Sequence, residues 1–332
     1  MIFESLTFFF TFVTTLILLR FYIKISETIN ISDKPTNYNM HDRNVITGSG
    51  ITFIIIYILS LFVLLFLEKF SFVKLEYPNR FYILNFVLVF FSLMSFYDDL
   101  KNLHPNIRFF VQLLLVSLSI PLINTEFLNT YFPLKIIIFF LVFYWVYLIN
   151  IINFIDGLDG FLIFYCIFYF FNSLLYFYYL DIGNFFYFLS IVLFSISISF
   201  FIFNKPPAKI FMGDSGSIFL GYIIGLYSLY FLSINRIDIM ITLICYPFMD
   251  CSLTIIRKML DGKYPWERLF DYNFLKPVKL YNKSHSYVLK YFIIYNLGLT
   301  INLSLQIFYE LKYFFILSIV YTLILINFYN KK

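Results

Sequence analysis

Eleven apolar runs, each near the roughly 20 residues that an α-helix needs to cross a bilayer, leave this chain little room for anything but membrane spans. They cover approximately residues 5–23, 44–67, 81–97, 109–125, 136–155, 160–180, 182–204, 215–235, 239–256, 291–309 and 313–330, with Arg20 and Asp250 tolerated inside the first and ninth. Backbone polar groups in hydrocarbon must be satisfied within the segment, which favours helices. The expectation is an all-α polytopic membrane protein of about 11 transmembrane helices, forming one integral-membrane domain over residues 1–332. Only 13% of the chain is charged, against about a quarter in soluble domains. A sizeable water-soluble domain is thereby excluded, and nothing suggests a nucleic-acid partner. Cys166, Cys245 and Cys251 fall in or beside apolar runs and form no CxxC pattern, so neither a disulfide framework nor a thiolate metal site is expected.

Charge then orients the spans. The first run is preceded by Glu4 and followed by Arg20 and Lys24, the reverse of a cleavable signal, which places the N-terminus outside. Alternating from there puts Arg20, loops 24–43, 98–108, 204–214 and 257–290 and the C-terminus on one side. That side carries eighteen of the twenty-four Lys and Arg residues. By the positive-inside rule it is cytoplasmic.

Every chemically dense stretch falls on that side. The central one is N-I-I-N-F-I-D-G-L-D-G, Asn150 to Gly160. Asn150 and Asn153 are a helical turn apart and share a face, and Asp156 and Asp159 each precede a glycine that lets backbone approach a ligand. Asp98 and Asp99 are adjacent, so they need a cation or must share a proton. Asp214 lies in a Gly-Asp-Ser-Gly turn at the mouth of the eighth run, and loop 257–290 carries eight Lys or Arg together with His285.

Five carboxylates at one depth, Asp98, Asp99, Asp156, Asp159 and Asp214, would repel unless a divalent ion joined them. Oxygen-only ligands favour Mg2+ or Mn2+ over zinc. Lys34, Arg43, Lys101, Arg108, Lys205, Lys209 and Lys283 supply cations suited to several phosphates. Metal and phosphate-binding cations together point to phosphoryl transfer, and eleven spans point to a lipid as the second substrate.

Three stretches, Tyr97 to Phe109, Asn150 to Gly160 and F-M-G-D-S-G-S-I-F-L-G from Phe211 to Gly221, resemble the polyprenyl-phosphate N-acetylhexosamine-1-phosphate transferases. These include the enzymes that initiate lipid-linked O-antigen, teichoic acid and peptidoglycan synthesis. The resemblance implies a multispanning helical enzyme of the inner (plasma) membrane with its active site facing the cytoplasm. It would transfer a sugar-1-phosphate from a UDP-sugar to a polyprenyl phosphate such as undecaprenyl phosphate, releasing UMP with Mg2+, for which Mn2+ substitutes. It further implies that Asp214 is a metal ligand with Asn153 beside it. Asp98 and Asp99 would bind or deprotonate the lipid phosphate, or assist the metal, and Asp156, Asp159 and Asn150 would lie at the nucleotide. Lys34 and Lys101 would contact phosphate. A homodimer through lipid-facing helices is also expected of such an enzyme.

The loop N-K-S-H-S-Y, Asn282 to Tyr287, resembles the His-Arg-Ser-His-x-Tyr pattern of the O-antigen-type members, with Lys283 for Arg and His285 as its single histidine, which implies a catalytic His285 and a substrate-binding Lys283 that together hold the UDP-sugar phosphates. This favours an initiator of surface polysaccharide over the phospho-MurNAc-pentapeptide transferase of peptidoglycan synthesis. A transporter is the alternative from another class. Its intramembrane carboxylates should lie near the midplane on broken helices in two related halves, whereas these sit at one face without an internal repeat. His41, His104, Asp250 and the stretch Trp266 to Val278 receive no role from the sequence.

Overall fold

A computed structural model describes residues 2–29, 31–33, 35, 43–70, 81–101, 103–120, 133–182, 185–264 and 272–331. Lys34, His41 and residues 266–271 of the 266–278 stretch therefore lie outside the described residues. The described chain is helical almost throughout. Its helices are α1 (Ile2–Ile29), α2 (Ile51–Lys69), α3 (Phe81–Lys101), α4 (Pro105–Ser119), α5 (Leu134–Phe154), α6 (Phe161–Tyr179), α7 (Phe185–Asn204), α8 (Gly213–Ser233), α9 (Ile237–Leu260), α10 (Lys276–Tyr281), α11 (His285–Phe308) and α12 (Phe315–Tyr329).

Among the described residues ten helices are long and apolar enough to cross a membrane, which makes the protein an all-α polytopic membrane protein. The fourth expected span is represented by α4, a shorter apolar helix of 15 residues. The second run begins later than its hydrophobicity suggests. Val45 and Ile46 form a short strand, β2, pairing antiparallel with β1 (Ser32–Asp33), and the chain turns through Gly48 (φ 74°) before α2 starts. The tenth run begins earlier, at His285. There the Ser284 hydroxyl accepts the Tyr287 amide at 3.2 Å and caps α11, using an orphan donor of its first turn.

The core is built around α8, the most buried of the ten long helices. Small residues let its neighbours approach closely, as membrane helices commonly require. Tyr222 stacks on Trp145 of α5 with centroids 4.8 Å apart, and Trp145 Nε1 donates to the Tyr222 carbonyl at 2.9 Å. A Cβ added at Gly225 would lie 2.1 Å from Trp145 Cδ1. Trp145 is fully buried and held by that hydrogen bond, so it cannot yield cheaply. Gly225→Ala is expected to cost about 1–3 kcal/mol through overpacking, read as a lower thermal unfolding midpoint in detergent. An unchanged midpoint would contradict this packing.

One end of α8 is stitched to the first loop. The Phe211 amide donates to Ile46 at 2.7 Å, and the Gly50 amide donates to Met212 at 2.9 Å. A Cβ on Gly50 would meet Gly216 N at 2.1 Å, so backbone there touches backbone. The same end of the bundle holds the C-terminus of α3, the N-terminus of α4, the α5–α6 turn and the N-terminus of α11.

Candidate functional site

Asp99, at the end of α3, takes the N-terminus of α8 in both carboxylate oxygens. The amides of Asp214 and Ser215 donate to it at 2.8 and 3.1 Å. These are orphan donors at the positive end of a helix dipole, where a carboxylate is stabilised. The approach requires Gly213, which has φ 70° and whose added Cβ would lie 2.7 Å from Asp99 Oδ2. Asp99 thus fixes where Asp214 projects.

Asp214 and Asp98 are joined by Arg108. One guanidinium nitrogen lies 2.8 Å from Asp214 Oδ2 and 3.0 Å from Asp98 Oδ2. The other Asp98 oxygen accepts the Leu103 amide at 2.6 Å, which shapes the turn into α4. Asn153 donates its carboxamide N–H to Asp214 Oδ1 at 3.0 Å. Sequence reasoning set Arg108 among the general phosphate-binding cations and missed this bridging place. Its signal was an arginine in the first turn of a helix, where a cation opposes the helix dipole unless nearby carboxylates hold it.

Asn150 and Asn153 do share a face, but their partners differ. Asn150 Nδ2 donates at 2.8 Å to the buried Gln112 of α4 and to the Val146 carbonyl, tying α5 to α4. Gln112 was not singled out from the sequence. Lys101 and Lys283 are exposed at this end, with Lys283 Nζ 5.6 Å above the Tyr287 ring.

Asp156 and Asp159 occupy contrasting settings in the α5–α6 turn. The Asp156 carboxylate keeps some exposure and makes no hydrogen bond or ion pair among the described residues. Burial pushes it well above the usual carboxylate range, and the nearby charges of Asp214, Asp99 and Asp159 push it further. For Asp159, burial alone would raise the carboxyl. Hydrogen bonds from His285 and the Ala208 amide, with the charges of His285 and Arg43, outweigh that and hold it below its ordinary value. His285 Nδ1 is 3.3 Å from Asp159 Oδ1 and 3.4 Å from the Asp159 amide. It donates to the carboxylate when protonated there and accepts from the amide when not. The other Asp159 oxygen accepts the Ala208 amide at 2.9 Å, and Arg43 donates to the Ala208 carbonyl at 2.7 Å. His285, Asp159 and the loop before α8 form one unit.

This pairing has a pH signature. The folded carboxyl of Asp159 lies below its ordinary value, so its contribution is present above the ordinary range and is lost as pH falls through the folded value. Acidification from pH 6 to below 4 should lower the unfolding midpoint more in the wild-type protein than in Asp159→Asn. Parallel acid profiles would contradict the pairing.

The residues fit an oxygen-liganded divalent ion in their chemistry. Asp214 and Asn153 are adjacent, and Asp156 is a carboxylate in a field of other carboxylates without a counter-ion of its own among the described residues. Among the described residues no three His, Cys, Asp or Glu side chains converge on one point. Arg108 supplies the local positive charge between Asp98 and Asp214.

Residues 81–232 match glycosyl transferase family 4. Over 69 residues the chain is 44% identical to a probable undecaprenyl-phosphate N-acetylglucosaminyl 1-phosphate transferase of Bacillus subtilis (strain 168), covering 20% of this chain and 19% of that protein. Over 73 residues it is 34% identical to a phospho-N-acetylmuramoyl-pentapeptide-transferase of Petrotoga mobilis, covering 22% of each. The chain thus spans about a fifth of the length of the relatives it matches.

Proposed function

We propose, from the resemblance to polyprenyl-phosphate sugar-phosphate transferases that the family 4 match and both relatives support, that this protein moves a sugar 1-phosphate from a UDP-sugar to a polyprenyl phosphate. The observation that carries the reading is Arg108 spanning Asp98 and Asp214, with Asn153 on the second Asp214 oxygen. Such a site at the end of a helical bundle brings a polyanion-binding cation and oxygen ligands within reach of a lipid headgroup.

In the reaction an oxygen of the lipid phosphate attacks the phosphorus that carries the sugar. The bond from that phosphorus to the bridging oxygen breaks, and UMP leaves with the bond electrons. No proton need move, because the attacking phosphate oxygen is already anionic. The chain's part is therefore positioning and charge balance. Asp99 orients the N-terminus of α8, which sets Asp214. Arg108 offers N–H donors to the phosphates as it is drawn from the two carboxylates. Asp159 and His285 hold the α5–α6 turn, where Asp156 and the glycine-rich backbone receive the nucleotide, and Lys101 and Lys283 add positive charge at the same end; for Lys34, outside the described residues, a phosphate contact rests on the resemblance alone. Mg2+, held by Asp214 with Asn153, would neutralise charge on the diphosphate.

The charge asymmetry of the loops supports a cytoplasmic site in the plasma membrane. The single histidine in N-K-S-H-S-Y supports an N-acetylhexosamine donor for surface polysaccharide. Incubating membranes that contain the protein with several UDP-N-acetylhexosamines and weighing the lipid product tests this choice. A product carrying N-acetylhexosamine phosphate on polyprenyl phosphate is expected. Transfer only from UDP-MurNAc-pentapeptide would assign the peptidoglycan reaction instead.

A further inference from the structure

Asp250 is fully buried in α9, at a depth where an ionisable group is costly, and it faces no described Lys or Arg as an ion pair. Its satisfaction comes from Tyr246 one turn back on α9 and from one short segment, Asn273 and Phe274. Oδ1 accepts the Asn273 amide at 3.0 Å and the Asn273 carboxamide N–H. Oδ2 accepts the Tyr246 hydroxyl at 3.2 Å and the Phe274 amide at 3.4 Å. The Asn273 carboxamide oxygen then accepts from Asn330 at 2.9 Å, Arg257 at 3.2 Å and Lys276 at 3.3 Å. One carboxamide thereby stands between the buried anion and two cations, so removing Asp250 would break a charge-assisted relay.

That relay bears on the α5–α6 turn. Asn273–Leu275 is a single 3-10 turn, too short to hold its own shape. The two residues after Asn273 are buried against the glycine that follows Asp156. A Cβ on Gly157 would lie 3.3 Å from Leu275 Cδ2 and 3.5 Å from the Phe274 ring, which stacks on Phe161 at 4.8 Å.

We propose that Asp250 is a positioning residue: through Asn273 it fixes Phe274 and Leu275 as a buttress under Gly157, holding the Asp156–Asp159 turn in its binding geometry. The structural part stands on the contacts alone, whereas its catalytic consequence rests on the reading of that turn as the nucleotide site.

The test measures hydrogen–deuterium exchange of the ligand-free protein in detergent, alongside steady-state kinetics with UDP-sugar and polyprenyl phosphate. Asp250→Asn removes the anion, Leu275→Ala removes the buttress without touching the relay, and Asp250→Asn with Asn273→Asp returns the carboxylate to the pair from the other side. Both single variants should speed exchange of residues 155–161 about tenfold or more while α8 stays protected. KM for the UDP-sugar should rise about tenfold with a smaller change in kcat, and the charge swap should recover part of both losses. Unchanged exchange at 155–161 in both single variants would overturn the proposal, as would equal loosening of every helix or a swap that recovers nothing. Should Asp250→Asn not fold, Leu275→Ala decides. Exchange needs no turnover, so an inactive wild-type protein would sink the transferase reading and leave this result standing.

Discussion

Asp214→Asn should lower turnover by about 10²–10³-fold while the protein still folds. Asparagine keeps the size of the side chain and leaves the Asp214 main-chain amide free to donate to Asp99, so the entry to α8 survives. It removes one of two carboxylates held by Arg108 and leaves Asn153 a neutral carboxamide oxygen as acceptor in place of a carboxylate. What is lost is negative charge where the metal would bind, so residual activity should need more Mg2+ or Mn2+ than the wild-type protein does. Near-normal turnover at low Mg2+ would make Asp214 a structural end of the helix and not a ligand.

Arg108→Ala should be comparably severe for another reason. It strips the shared cation from Asp98, whose side chain is 4% exposed, and from Asp214, whose side chain is 30% exposed. Asp98 would keep only the Leu103 amide as a described partner, and two carboxylates would face each other without compensation. Removing one partner of a buried pair costs more than the pair contributes. We expect turnover to fall by about 10²–10³-fold and the unfolding midpoint to drop as well. Arg108→Lys keeps the charge but loses the planar guanidinium that bridges two carboxylates, so its turnover should lie between. Turnover per folded molecule separates the two effects, and wild-type turnover in Arg108→Ala would remove Arg108 from the site.

The membrane architecture was legible in the sequence because lipid imposes one requirement, an apolar run that closes its own hydrogen bonds. Runs such as 215–235 and 136–155 accordingly fall within two residues of α8 and α5 at each end. The errors came where apolarity and helicity part company. Val45 and Ile46 are apolar, but they lie beside the backbone of the segment before α8 and pair as a strand. His285 begins a helix although its first turn is polar, because Ser284 supplies the cap.

The gathering of chemistry at one end of the bundle was legible for the same reason, since polar groups at membrane depth are expensive. The division of labour was not. Asp98 and Asp99 are neighbours in sequence and look interchangeable, yet one pairs with Arg108 and the other holds the start of α8. Asp156 and Asp159 both precede glycine, but the carboxylate of the latter has His285 and the Ala208 amide while that of the former makes no described hydrogen bond. Asp98 finds Arg108 ten positions on, but the partners that set Asp99 and Asp159 apart lie 49 to 126 positions away, which spacing within a motif does not encode. The same applies to Asn150, whose partner Gln112 lies on another helix.

The most direct test of the account is UMP release by the purified protein. UMP should form from a UDP-N-acetylhexosamine only when polyprenyl phosphate and Mg2+ are both present, in a one-to-one ratio with a lipid-linked sugar diphosphate. UMP formed at the same rate without the lipid phosphate, or no UMP from any UDP-sugar with both present, would contradict it.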